Sequence, residues 1–260
     1  MTEPFIRLCA RDNPLLVKLR KLARDPSAYR KLGELWIEGE HLCSALRQRG
    51  WRPAQAVLAE SAFGQPALRA LAHWAPRVVV VPDALFDGFS ALESPARLGF
   101  VLALPAPPPL RPDVASVVLD RVQDAGNVGS ILRSAAAFGV GQVLALQGTS
   151  ALWSPKVLRA GMGAHFGLQL IEGLQPDDLD ALRVPLVGTA LDSDDLLPHA
   201  TLPPRCAWVL GHEGQGMSSA LRSRCAQVLR IPQPGGEESL NVAAAAAVCL
   251  YESLRCSLAP

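Results

Sequence analysis

Five short apolar runs recur through the second half of the chain: SVVLD at 116–120, QVLAL at 142–146, PLVGTA at 185–190, CAWVLG at 206–211 and VLRIP at 228–232. Such runs, often β-branched and bounded by turn residues, read as strands buried on both faces. Helical patterns such as SILRSAAAF at 130–138 separate several of them. That rhythm demands a parallel sheet covered by helices, an α/β architecture.

The stretch LPAPPPLRPD at 104–113 divides the chain. Its prolines lack N–H donors and hold the backbone extended, which excludes a helix or a central strand and leaves a stiff linker. We therefore expect domains over 1–104 and 114–260 joined by a linker at 105–113, within the reach of a 260-residue chain. In the first domain NPLLVKLRKLARDPSAYRK predicts an amphipathic helix entered at Asn13-Pro14, with Leu15, Leu19 and Leu22 at helical spacing. Short strands and helices alternate after it, so this domain too reads as a small α/β fold.

Composition narrows the function classes. The start, MTEPFIRLCARDN, has no apolar core of signal-peptide length, and the longest apolar run, 242–250, is too short to span a bilayer. No membrane association is expected. Six cysteines without C-x-x-C or zinc-type spacing suit reduced thiols in the cytoplasm, and no metal is expected. Net charge is only +1, yet it is unevenly shared: residues 1–110 hold 14 Lys/Arg against 10 Asp/Glu. Within 7–31, eight basic side chains, Arg20, Lys21 and Arg24 among them, face only Asp12 and Asp25. A cluster of this kind is either a solvated helix face or a phosphate-binding patch.

Three stretches of the second domain could carry chemistry. In LDRVQDAGNVGSILRSAAAFGV, 119–140, Asn127 and Gly129 are expected at a strand-to-helix turn, with Arg133 about one turn into the helix. In WVLGHEGQGM, 208–217, three glycines surround Glu213 at the carboxyl end of a strand, where open α/β sheets bind ligands. The pattern is neither a dinucleotide fingerprint nor a Walker A loop, so a neutral or cationic ligand fits better than a phosphate. In IPQPGGEESLNV, 231–242, Pro232 and Pro234 expose backbone acceptors of the kind an adenine amino group needs. Behind its Gly-Gly turn, Ser239 and Asn241 precede a run of alanines and suit a helix entrance.

Taken in order, GNVGSILRSAAAFG, VLGHEGQGM and IPQPGGEESLNVAAAAAVCLYE resemble the three motifs of the SpoU/TrmH family of RNA ribose 2′-O-methyltransferases, within the SPOUT superfamily. SPKVLRAGMGAHF, 154–166, is similar to the family's connecting stretch, with Gly161 where a serine is frequent. The match covers essentially all of 114–260. DNPLLVKLRKL and LWIEGEHL resemble, more weakly, the family's ribosomal-protein-like substrate-binding domain.

The resemblance implies a parallel sheet with a deep trefoil knot, S-adenosylmethionine held near Thr189, Gly211, Ile231 and Leu240, and a homodimer with shared active sites. It carries functional roles onto Asn127, Arg133, Glu213, Ser239 and Asn241. It turns the basic cluster at Arg20, Lys21 and Arg24 into an expected RNA anchor, with rRNA favoured over tRNA. A non-catalytic RNA-binding protein of the same fold is the alternative. Arginine gives up its proton reluctantly, so Arg133 is expected to fork onto the phosphate beside the target ribose rather than act as base. Glu213 is expected either to organise the glycine loop or to hold Arg133.

Overall fold

The computed structural model describes residues 5–235 and 239–258. Gly236, second glycine of the turn expected before Ser239, lies outside the described residues, as does Glu3. The elements in chain order are β1 (Ile6–Arg7), α1 (Pro14–Arg24), α2 (Ala28–Leu32), β2 (Glu34–Glu38), α3 (Glu40–Gln48), β3 (Gln55–Ala59), α4 (Glu60–Phe63), α5 (Pro66–Ala72), β4 (Val78–Val81), α6 (Asp83–Phe89) and β5 (Leu98–Ala103). They continue with β6 (Ser116–Leu119), α7 (Ala125–Ala137), β7 (Gln142–Leu146), α8 (Pro155–Gly161), β8 (Gln169–Leu174), β9 (Leu186–Thr189), β10 (Ala207–Leu210), α9 (Ser219–Arg222), β11 (Gln227–Leu229) and α10 (Val242–Leu258). Two compact units result. One runs to Ala106 and includes Trp153–Phe166; the other is formed by Pro107–Leu152 and the chain from Gly167 onward.

The first unit is built on a mixed sheet of order β1-β4-β3-β5-β2, in which β5 runs antiparallel to both neighbours. Trp36 packs against Phe86 and Phe89, and a Cβ at Gly99 would lie 2.2 Å from its indole, so the antiparallel neighbour must be glycine there. α1 begins as expected: Pro14 occupies its first turn and the Asn13 side chain accepts from the Leu15 amide at 3.0 Å. The buried stripe is Leu16, Leu19, Leu22 and Ala23, with Leu15 at its margin rather than in it. Trp153–Phe166, far along the chain, folds onto α3: Trp51 Nε1 donates to the Phe166 carbonyl at 3.1 Å, and a Cβ at Gly163 would come within 2.6 Å of Ala45.

The second unit has an all-parallel sheet of order β11-β9-β10-β6-β7-β8. The five expected runs all form strands, four of them trimmed by at most a residue at either end, while the last runs from Gln227 to Leu229 and leaves Arg230, Ile231 and Pro232 of its expected run outside the strand. β8 has no counterpart among them. As an edge strand it carries Gln169, Glu172 and Gly173 at incompletely buried positions, which breaks the apolar run. Central β6 and β10 are buried at every position, and α7 and α10 pack on each other. The proline stretch is no free spacer at its end. Arg111 exchanges two backbone hydrogen bonds, 3.0 and 2.8 Å, with the fully buried Gln142 side chain, which also donates to Ser116 Oγ at 2.9 Å. Every polar atom of that amide is therefore satisfied, as burial requires.

Candidate functional site

The carboxyl ends of β9 and β10, together with the start of α10, enclose an open cleft of about 670 Å³. Thr189, Gly211, Glu213, Ile231, Ser239, Leu240 and Asn241 all line it, so seven of the expected site residues meet in one place. Asn127 stands just behind the lining, and Arg133 is not part of it.

The wall after β10 is a tight glycine loop. His212 and Gly216 exchange backbone hydrogen bonds of 3.0 and 2.8 Å, and the amides of Gly214 and Gln215 both donate to His212 Nδ1. A Cβ at Gly211 would sit 2.2 Å from the Gly216 carbonyl carbon and the Met217 nitrogen. Only glycine fits, because the obstacle is backbone.

Glu213 is the anchor of this loop. Its carboxylate accepts from the Gln123 amide at 3.1 Å, the Asp124 amide at 3.0 Å and Asn127 Nδ2 at 3.1 Å. It does not hold Arg133. Partial desolvation of the carboxyl opposes its charge, but the two amides and the Asn127 side chain outweigh that and hold its pKa below the ordinary glutamate value. The polarity of everything beyond it follows. A carboxylate only accepts, so Asn127 must turn its NH2 toward Glu213 and its oxygen outward. Asn241 Nδ2 donates to that oxygen at 2.9 Å. Asn241 Oδ1 is then left to accept from the amides of Ala243, 2.8 Å, and Ala244, 3.3 Å, capping α10. One line of hydrogen bonds thus runs from the glycine loop through α7 to the start of α10.

α7 differs from expectation. It starts at Ala125, and Asp124 is its cap, accepting from the Asn127 amide at 2.8 Å. Asn127 and Gly129 consequently lie within the helix rather than at a turn, and Arg133 is more than two turns in. The cause is local: Asp124 outcompetes Asn127 for the cap by standing three residues ahead of a free amide. Arg133 is exposed on the face shared by Ser130 and Ala137, and among the described residues it has no side-chain partner.

Several supports were not expected from sequence. Buried Asp120 accepts from the Ser218 amide at 2.6 Å, and Arg121 donates to Gln215 at 3.1 Å and to Asp120 at 3.0 Å. Both stand at the carboxyl end of β6, the one positional signal that marks them. Leu191 and Leu240 line the cleft yet remain exposed, 54% and 40%, and the Arg222–Asp192 ion pair, 2.8 Å, lies on its rim. Exposed apolar walls, a backbone-only approach at Gly211 and a volume typical of cofactor sites suit an adenosine-sized ligand with a charged end.

The profile of the SpoU rRNA Methylase family matches residues 115–251. The chain belongs to that family. It is similar to the 23S rRNA (uridine(2479)-2′-O)-methyltransferase of Streptomyces viridochromogenes, 30% identical over 248 residues, 86% of this chain and 84% of the relative. It is also similar to the 23S rRNA (guanosine(2553)-2′-O)-methyltransferase RlmP of Bacillus subtilis, 35% identical over 173 residues, 64% of this chain and 68% of that one. Among solved structures, an RNA 2′-O ribose methyltransferase superposes with a TM-score of 0.83 at 29% identity, covering 98% of this chain and all of the other. The SpoU methyltransferase AviRb from Streptomyces viridochromogenes, in complex with AdoMet, superposes with a TM-score of 0.84 at 25% identity, covering 94% and 97%. By class this family member is an RNA 2′-O-methyltransferase.

Proposed function

We propose that this SpoU family member transfers a methyl group from S-adenosylmethionine, held in the cleft at Gly211, to a ribose 2′-hydroxyl of 23S rRNA, acting in the cytoplasm as a homodimer. The observation that carries the reading is the Glu213–Asn127–Asn241 line, which brings all three motifs to the mouth of one glycine-walled cleft. The free state of all six cysteines supports a reducing compartment. Similarity to 23S rRNA enzymes favours that substrate, and since those two act on a uridine and a guanosine, the target base stays open.

When bound, S-adenosylmethionine supplies an electrophilic methyl carbon on a sulfonium; the O2′–C bond forms as the S–C bond breaks. The chain's part is positioning and exclusion of water. Thr189, Gly211, Ile231 and Leu240 hold the cofactor, while Ser239 and Asn241 orient the ribose by neutral hydrogen bonds. Glu213 keeps the loop and Asn127 in register. Arg133 forks onto the phosphate next to the target ribose, so that this phosphate or a water takes the 2′-hydroxyl proton. Because Arg133 stands outside the lining of its own cleft, we assign it to the cleft of the second copy. The exposed apolar side chains of Val248 and Tyr251 on α10, which packs against α7, support that arrangement.

Mapping 2′-O-methyl groups across total RNA from cells with and without the gene tests the reading. One 23S rRNA ribose should lose its methyl group in the deletion. Loss confined to tRNA would overturn the substrate, and no change anywhere would favour a non-catalytic RNA-binding protein.

A further inference from the structure

The first unit carries a basic edge that the expected anchor at Arg20, Lys21 and Arg24 does not include. Of those three, Arg20 donates to the Arg11 carbonyl at 2.8 Å and Arg24 to the Gly88 carbonyl at 3.3 Å, so only Lys21 is wholly uncommitted. Elsewhere, between Glu40 and Asp83 the chain holds five arginines and a single carboxylate, Glu60. Topology sorts these charges. β3 and β4 are parallel neighbours, with Ala56 opposite Val78, so the α3–β3 and α5–β4 connections emerge at the same edge of the sheet. Arg47, Arg49 and Arg52 belong to the first connection and Arg77 to the second, where its carbonyl accepts from the Ala56 amide. Glu60 follows the far end of β3 and is engaged by Arg7 at 3.6 Å. On the outer strand β2, Glu34 is ion-paired with Lys18.

The two connections are locked together by tryptophans. Trp74 Nε1 donates to the Trp51 carbonyl at 2.7 Å, and the guanidinium carbon of Arg52 lies over the Trp74 ring, 3.8 Å from its centroid. All four arginines are exposed, and among the described residues none has an ion-pair or side-chain hydrogen-bond partner. Arginines at a helix C-terminus can serve the helix dipole alone. That accounts for Arg47 in the last turn of α3, and not for Arg52 or Arg77, which stand beyond helix ends. An unpaired, exposed cluster of arginines, one of them seated over an indole, has the chemistry of an RNA platform.

We propose that this edge, Arg47, Arg49, Arg52 and Arg77 around Trp74, is an RNA-binding platform that grips rRNA phosphates and stacks one unpaired base on Arg52. The inference rests on the rRNA methyltransferase reading. Its test is the salt dependence of binding to deproteinised bacterial 23S rRNA. Arg47→Ala/Arg49→Ala/Arg52→Ala should weaken binding about tenfold or more and flatten the slope of log affinity against log salt by about two to three, nearly one per lost phosphate contact. Thermal denaturation checks that the variant folds; if it does not, the milder Arg49→Gln/Arg77→Gln pair decides. Arg52→Lys, which keeps the charge and loses the stack, should weaken binding severalfold while leaving the slope intact. Unchanged affinity and slope in the charge variants overturn the platform. So does a slope that responds only to Arg20→Ala/Lys21→Ala/Arg24→Ala, which would place the anchor on α1. Wild-type protein that neither binds nor methylates rRNA would overturn the methyltransferase reading as well, and is told apart by that shared failure.

Discussion

At the scale of single residues, the site depends on two positions for opposite reasons. Gly211 matters for what it lacks. A methyl group there would meet backbone at 2.2 Å, and backbone cannot step aside as a side chain can. Gly211→Ala should therefore open the His212–Gly216 turn and lower S-adenosylmethionine affinity at least about tenfold, on the order of the 1–3 kcal/mol that overpacking costs; calorimetric titration reads this. Glu213 matters for its charge. Its pKa is held below the ordinary glutamate value, so the stabilisation it lends is complete above the unfolded glutamate value and is lost as pH falls through the lower folded value. Its exposure screens the effect. Glu213→Gln should bind the cofactor about fivefold more weakly at pH 7, a difference of about 1 kcal/mol, and the two proteins should converge in acid. Equal affinities at neutral pH would remove Glu213 from its anchoring role. Asn127 shows how far a sequence reading goes at this scale: its importance is visible in the motif, while its place inside α7 depends on Asp124 taking the cap.

At the scale of elements, α7 and α10 pack on each other behind the cleft. α10 buries Ala246, Cys249 and Leu250, while Ala244, Val248, Tyr251 and Leu258 point outward with helical spacing. Val248 is 41% and Tyr251 55% exposed, and Tyr251 meets Phe138, just past the end of α7, with ring centroids 6.0 Å apart. An apolar stripe on a helix normally faces a core. Here it is uncovered in the single chain, and under the proposed homodimer a second copy would cover the stripe and bring Arg133 to the neighbouring cleft. Val248→Glu and Tyr251→Glu, singly or together, should shift sedimentation toward monomer and abolish methyl transfer while leaving cofactor affinity within about twofold. Monomers with full turnover would show that Arg133 serves its own cleft. The alanine run of α10 was legible as helix from propensity alone. Its outward stripe was not, since an Ala-rich helix shows no sharp division of faces until its packing is known.

At the scale of the whole molecule, order along the chain and order in space part company. Trp153–Phe166 lies between β7 and β8 in sequence, both strands of the second sheet, yet belongs to the first unit. Nothing in its composition announces this. Its fit against α3 depends on Gly163 clearing Ala45 and on Trp51 reaching the Phe166 carbonyl, contacts between residues more than a hundred positions apart. The strand order β11-β9-β10-β6 is similarly invisible, because buried parallel strands look alike as sequences. Basic charge divides in the same way: the cluster at 7–31 is conspicuous as a run, whereas Arg47, Arg49 and Arg52 are joined by Arg77 only because β3 and β4 are parallel.

The sequence by itself determined the α/β class and five of the six strands in the second unit through local pattern, and, through three motifs that resemble the family's, the family and seven of the residues that line its cleft. The tertiary structure alone decided that Glu213 grips the start of α7 rather than Arg133, that Arg133 stands apart from its own cleft, and where 153–166 belongs. Those outcomes are set by which hydrogen-bond donors and side-chain volumes meet across long chain separations. Packing settles such meetings, and no local pattern encodes them.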